Sequence, residues 1–148
     1  MIVSNFEIKY ANKMIENNED NDSDDGEYNS LHDALLAFQG MQVEIPKDAK
    51  GRFTYTSYVA LHKLVIPILQ KLKIRVRTMS YENEKGACVE TILCGYGEQE
   101  RTGKVFVHST KAAPQDFGGA ITYARRYSLL LALNLAPDDD AKVENYQI

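Results

Sequence analysis

Apolar positions along the chain repeat with two periods, and the change from one to the other divides it into elements. Leu31, Ala34, Leu35 and Phe38 recur at helical spacing behind Ser30, a good capping residue, and Gly40 ends the run. A broader helical stripe, Val59, Leu61, Leu64, Val65, Ile68, Leu69 and Leu72, covers residues 57–72. Pro67 lies inside it and removes a backbone donor, which predicts a kink or early break near Leu64. The period then falls to two. Ile74, Val76 and Thr78 alternate with Arg75 and Arg77 over residues 74–80. Over 87–95, Val89 and Leu93 lie opposite Cys88, Ile92 and Cys94; over 104–110, Val105 and Val107 alternate with Phe106 and His108. Polar turns at 83–86 and 98–103 separate these strands. Short connections of this kind imply an antiparallel meander, and helices before and after it make the fold class α+β: a three-stranded β-meander packed by helices.

The last element is read from QDFGGAITYARRYSLLLALNLAPDDD, residues 115–140. Gln115 and Asp116 suit a helix start, while Asn134 and Pro137 mark its end. Residues 129–135 are apolar on nearly every face and belong against other elements. The first half mixes Thr122, Tyr123, Arg125, Arg126 and Tyr127, which reads as a recognition surface. The same run also fits a packed helix with tyrosines in the core and arginines in solvent. Residues 41–46 are expected to be extended, and 47–52 to form a loop carrying Lys47, Lys50 and Arg52, with Gly51 for the turn. That loop is either plainly solvated or, beside Phe53, Tyr55 and Tyr58, a phosphate-gripping edge next to stacking rings.

Charge changes this picture more than composition does. The 148 residues carry a net charge of -4, which argues against a polyanionic partner. Yet residues 1–30 hold eight acids and two lysines, net -6, whereas residues 31–137 hold fourteen Lys or Arg and nine acids, net +5. The expected organisation is an N-terminal segment, 1–29, with weak helical spacing over 2–15 and an acidic flexible stretch over 16–29. A folded domain at 30–140 and a short tail at 141–148 follow. The acidic stretch reads as a solvated linker or, more sharply, as a polyanion mimic competing for a binding groove. No run reaches the ~20 apolar residues that span a bilayer, and no signal pattern opens the chain, so a cytoplasmic protein without a membrane partner is expected. Cys88 and Cys94 do not form a CxxC pair, so reduced thiols are expected.

No phosphate-cradling GxxxxGK[ST] segment, HExxH or GxSxG turn is present in the sequence. The expectation is therefore a binding protein and not a hydrolytic or ATP-driven enzyme. Sequence-tolerant binding of single strands needs a cationic track for phosphates and aromatic faces for bases. The candidates are Arg125, Arg126, Tyr123 and Tyr127 on the last helix, Arg75 and Arg77 on the first strand, Lys104 and Lys111 flanking the third, and Lys47, Arg52 and Tyr55. Adjacent helical residues point ~100° apart, so the two arginines are assigned separate roles. One contacts phosphate, and the other braces the fold against Asp138, Asp139 and Asp140 or a sheet carboxylate. Those three aspartates oppose the helix dipole and are read as a structural cluster, with Mg²⁺ as the alternative.

Gly118 to Leu130, GGAITYARRYSLL, follows Pro114-Gln115 and precedes Asp138-Asp139-Asp140. It resembles the signature of the ERF (essential recombination function) family, single-strand annealing proteins found mostly in phages and prophages. FTYTSYVALHKLVIPILQKLKIRV from Phe53 is similar to that family's other recognisable block, and together the resemblance covers roughly residues 31–140. It implies a β-β-β-α core and ATP-independent binding and annealing of complementary single-stranded DNA in phage or prophage recombination, within the bacterial host cytoplasm. It further implies a homo-oligomeric ring or filament, with a host single-strand binding protein or a phage exonuclease as possible partner. The acidic leader and the short tail depart from the family pattern. They favour the alternative of a binding-only regulatory or decoy relative that binds single strands without promoting pairing.

Overall fold

The computed structural model describes residues 28–51, 54–109 and 113–136. The expected helical spacing over 2–15, residues 16–27 of the acidic stretch expected over 16–29, the tail, Arg52, Phe53, Lys111, Asp138, Asp139 and Asp140 lie outside those residues.

Helix α1, Leu31–Gly40, starts as its sequence dictates: the Ser30 hydroxyl accepts from the Asp33 amide at 3.0 Å, and Leu31, Ala34 and Phe38 form its buried face. Residues 42–48 belong to no strand, and within the run expected to be extended, 41–46, Gln42 leaves α1 with φ 49°. Val43 and Ile45 still pack on the core. A two-residue hairpin follows, β1 (Ala49–Lys50) against β2 (Thr54–Tyr55), in place of a plain loop. Asp48 fixes the next junction, its carboxylate accepting from both the Ser57 amide and the Ser57 hydroxyl at 2.7 Å. Ser57 in turn caps α2, Tyr58–Lys71, by accepting from the Ala60 amide at 3.1 Å.

The expected break near Leu64 does not occur: α2 runs through Pro67 to Lys71. A proline inside a helix costs roughly 3 kcal/mol. Here its ring faces solvent, and Leu61, Leu64, Val65 and Leu69 anchor both flanking turns in the core, which offsets that cost.

The sheet is the antiparallel meander expected, order β3-β4-β5: Arg75–Tyr81, Gly86–Gly95 and Glu98–His108. The third strand begins earlier than its polar sequence implied. The chain reverses at Tyr96 and Gly97, φ 57° and 71°, a two-residue turn with both residues left-handed, pinned by the Tyr96 hydroxyl donating to the Leu72 carbonyl at 2.6 Å. Residues 98–103, read as a turn, are strand with a bulge: the register passes from Glu90↔Lys104 to Ile92↔Arg101, so Thr102 and Gly103 face Thr91 together. Gly103 takes φ 86°, and the Thr102 hydroxyl accepts from the Thr91 amide and donates to its carbonyl, restoring the interrupted ladder.

Helix α3, Pro114–Ala132, crosses β4 and β5. Its stripe of small residues, Ala120, Ala124 and Ser128, lets it lie close to Ala87, Val89 and Thr91, and Thr91 and Ser128 share a buried hydroxyl contact of 2.6 Å. Asn134 ends it in the left-handed region, with Leu135 N donating to Leu130 O at 2.9 Å and Asn134 N to Leu131 O at 3.2 Å. Its apolar end joins α1, α2 and Leu93 in the main core. The described helices therefore gather on one side of the sheet, the side of Ala87, Val89, Thr91 and Leu93. No helix among the described residues is long and apolar enough to cross a membrane.

Candidate nucleic-acid interface

The structure divides the candidate residues between two surfaces on opposite sides of the sheet. On the helix side, Tyr123, Arg125, Arg126 and Tyr127 of α3 meet the hairpin and the start of α2. Arg126 is 6 % exposed. Its guanidinium lies 4.7 Å from the Tyr127 ring centre, 5.3 Å from that of Tyr55 and 5.5 Å from that of Tyr123, and it donates to the Thr56 carbonyl at 3.4 Å. A cation taken from water needs such partners, and ring faces supply up to ~2 kcal/mol each when desolvated. Arg126 thus ties α3 to the β2–α2 junction.

Arg125 points elsewhere, over the Tyr58 ring at 4.6 Å, and its buried Nε has no hydrogen-bond partner among the described residues. Tyr58 also meets the exposed His62 ring at 5.7 Å. Partial burial, and then the Arg125 charge, hold the His62 pKa below its ordinary 6.5. The alternative of core tyrosines and solvated arginines is inverted: Arg126 is buried, whereas Tyr123 is 48 % exposed. Tyr123 and Tyr127 form an edge-to-face pair, centroids 4.7 Å apart, their hydroxyls 3.0 Å from each other. Beyond Tyr123 a shallow groove reaches β5, lined by Asp116, Gly119 and His108. Gly118 and Gly119 have open space where a Cβ would stand, so the helix backbone is bare there. Lys47 precedes β1 and Lys50 is exposed on it.

Arg75, Arg77 and Lys104 do not join this cluster. They project from the opposite face of the sheet, since Arg75 pairs with Cys94, Arg77 with Ile92, and Lys104 with Glu90. Lys104 Nζ sits 4.4 Å above the Tyr81 ring. Sequence reasoning missed the residue at the centre of this face. Glu90, buried, accepts from Arg101 at 2.6 Å, from the Tyr81 hydroxyl at 2.7 Å and from the Gly103 amide at 3.1 Å, so one carboxylate joins all three strands. These donors, Arg101 first and Tyr81 second, lower its pKa to about 2. The same hydrogen bond to Glu90 raises the Tyr81 pKa. The available signal was a lone acid inside the apolar run ACVETILC.

No curated protein and no solved structure matches the chain. The ERF superfamily model matches residues 31–147, which takes in every described element and both surfaces. That match implies a recombination role with DNA as the partner class, and by it the chain belongs to the ERF superfamily.

Proposed function

We propose that the chain binds single-stranded DNA on the α3 surface and promotes annealing of complementary strands without ATP. The observation that carries this reading is the half-exposed Tyr123, packed on Tyr127 and backed by Arg126, beside Arg125 on Tyr58. An exposed ring held rigid by its neighbours is a platform for an unstacked base, and adjacent cations offset phosphate repulsion. A protein that holds one backbone and leaves base edges outward lowers the barrier to pairing, and duplex formation itself is downhill, so no hydrolysis is needed. In this reading Arg126 braces the surface and Arg125 with Lys47 and Lys50 faces phosphate. Assembly of several copies in a ring or filament extends a short footprint along the strand, in the cytoplasm of a bacterial host.

The test is pairing of two labelled complementary oligonucleotides at low salt without ATP, comparing the unaltered chain with Tyr123→Ala and Arg125→Ala. Acceleration by the unaltered chain, reduced about fivefold or more in Tyr123→Ala while its circular dichroism is unchanged, is the expected result. Intact binding with no acceleration makes the chain a binding-only relative. Loss of neither activity in either variant removes the α3 surface from the mechanism.

A further inference from the structure

The sheet face turned away from the helices is arranged in cross-strand rows. At one end Tyr81 and Phe106 both stand opposite Cys88, so a small central side chain separates two rings across the face. Phe106 is 44 % exposed, and His108 lies beside it, ring centres 6.2 Å apart. Two rows away Arg77 and Arg101 both stand opposite Ile92, with Arg75 beyond them and Lys104 between the two rows. At ~3.3 Å per residue, the arginine row is about 13 Å from the ring row. Four cations stand on this face against a single carboxylate, Glu90, and that carboxylate is consumed in holding Arg101 and Tyr81. Among the described elements none packs on this side.

We propose that this open sheet face is a second binding surface for single-stranded nucleic acid, with bases resting on Phe106 and Tyr81 and phosphates on Arg75, Arg77 and Lys104, His108 standing at the sheet end where this face meets the α3 groove. Charge complementarity selects a polyanion, and the ring row selects one that carries flat apolar groups at intervals, which a single strand has and an acidic peptide lacks. Glu90 is the device that makes the platform rigid: it fixes the Tyr81 hydroxyl and Arg101, so the ring is already in place when a base arrives. The inference rests on the proposed reading for its class of ligand and adds a surface to it. Its location, across the sheet from Tyr123, makes the two separable.

The experiment is photocrosslinking of the full chain to a single-stranded oligonucleotide carrying 5-bromodeoxyuridine, followed by trypsin and mass spectrometry. Cleavage at Lys104, Lys111 and Arg125 puts Phe106 and His108 on the peptide 105–111 and Tyr123 on the peptide 112–125. Fragment ions assign each adduct to its residue, and adducts on both Phe106 and Tyr123 support both surfaces, since His108 also lines the α3 groove. Adducts on Phe106 without Tyr123 support the sheet face and overturn the α3 reading; adducts on Tyr123, with or without His108 and without Phe106, do the reverse. A carbodiimide bond from Lys104 to the acids of residues 16–27, with no oligonucleotide on Phe106, assigns the face to the chain's own leader and overturns the proposal. As a solution check, Arg75→Ala/Arg77→Ala/Lys104→Ala is expected to lower the slope of log affinity against log salt by about 2, from ~0.7 per phosphate contact. An unchanged slope overturns the proposal.

Discussion

The two aromatic and basic regions hold their arginines differently. Around α3 the guanidinium of Arg126 is buried among tyrosine rings and a backbone carbonyl, in contact with the helical layer. On the sheet face Arg101 stays largely in water, with 56 % of its side chain exposed, and reaches down to a buried carboxylate. In the first region the cation is the interior piece; in the second the anion is. Removing Arg126 therefore empties an interior space, whereas removing Arg101 leaves the space to water and a buried carboxylate without its nearest cation.

The largest expected effect follows directly. Arg126→Ala empties a space among Tyr55, Tyr123 and Tyr127 and leaves the Thr56 carbonyl without this donor, costing about 3 kcal/mol in urea unfolding. Arg101→Ala should cost less, because the Tyr81 hydroxyl and the Gly103 amide still donate to Glu90 and water can enter where the exposed guanidinium stood; equal losses would dissolve the contrast. A smaller effect, about 1 kcal/mol, is expected for Ser128→Ala, which breaks the buried hydroxyl pair with Thr91 under α3 without leaving a large void.

Acid separates the regions next. The Glu90 pKa is lowered to about 2 from an ordinary 4.5, so in that range the unfolded chain binds the proton more readily than the folded one. Its contribution is complete above about pH 4.5 and fades as pH falls toward 2. Glu90→Gln should remove that part of the acid limb and lower stability at neutral pH, read by denaturant midpoints across pH. The smallest effect concerns His62. Its lowered pKa makes its contribution full above 6.5 and lost as pH falls through the folded value. Arg125→Ala removes one of the two causes, and an NMR titration should show the His62 pKa moving up toward its ordinary value while Glu90 is unaffected.

Much of this architecture was legible because local chemistry and packing agree in it. Ser30 and Ser57 cap the helices they precede, and Asn134 ends α3. Strict alternation from Ile74 to Thr78 and from Val105 to His108 assigned those residues to the correct faces. The illegible parts are those where a residue type contradicts its place. Glu98 to Arg101 are polar because they lie on an edge strand with exposed side chains, so they resembled a turn. Strands β1 and β2 are too short to show any period. Arg126 is the clearest case: charge argues for exposure, and nothing in a one-dimensional pattern reveals three rings converging from two elements. The division of the candidates on α3 and on the strands between two surfaces is likewise absent from the sequence, which carries no information about which side of a sheet a helix covers.

The bulge at Thr102 and Gly103 has a consequence for how β5 tolerates change. Arg101 and Lys104 are three residues apart, so in a regular strand they would point in opposite directions. With Lys104 fixed and the bulge straightened, Arg101 would turn to the helix side, and Glu100 and Glu98 would turn to the open one. Four cations against one acid would become three against three. The sign of that surface thus depends on the bulge as much as on the letters: losing either Thr102 or Gly103 would make the strand regular and still leave Arg101 and Lys104 on one face, two positions apart, whereas straightening the strand at its present length would neutralise the face.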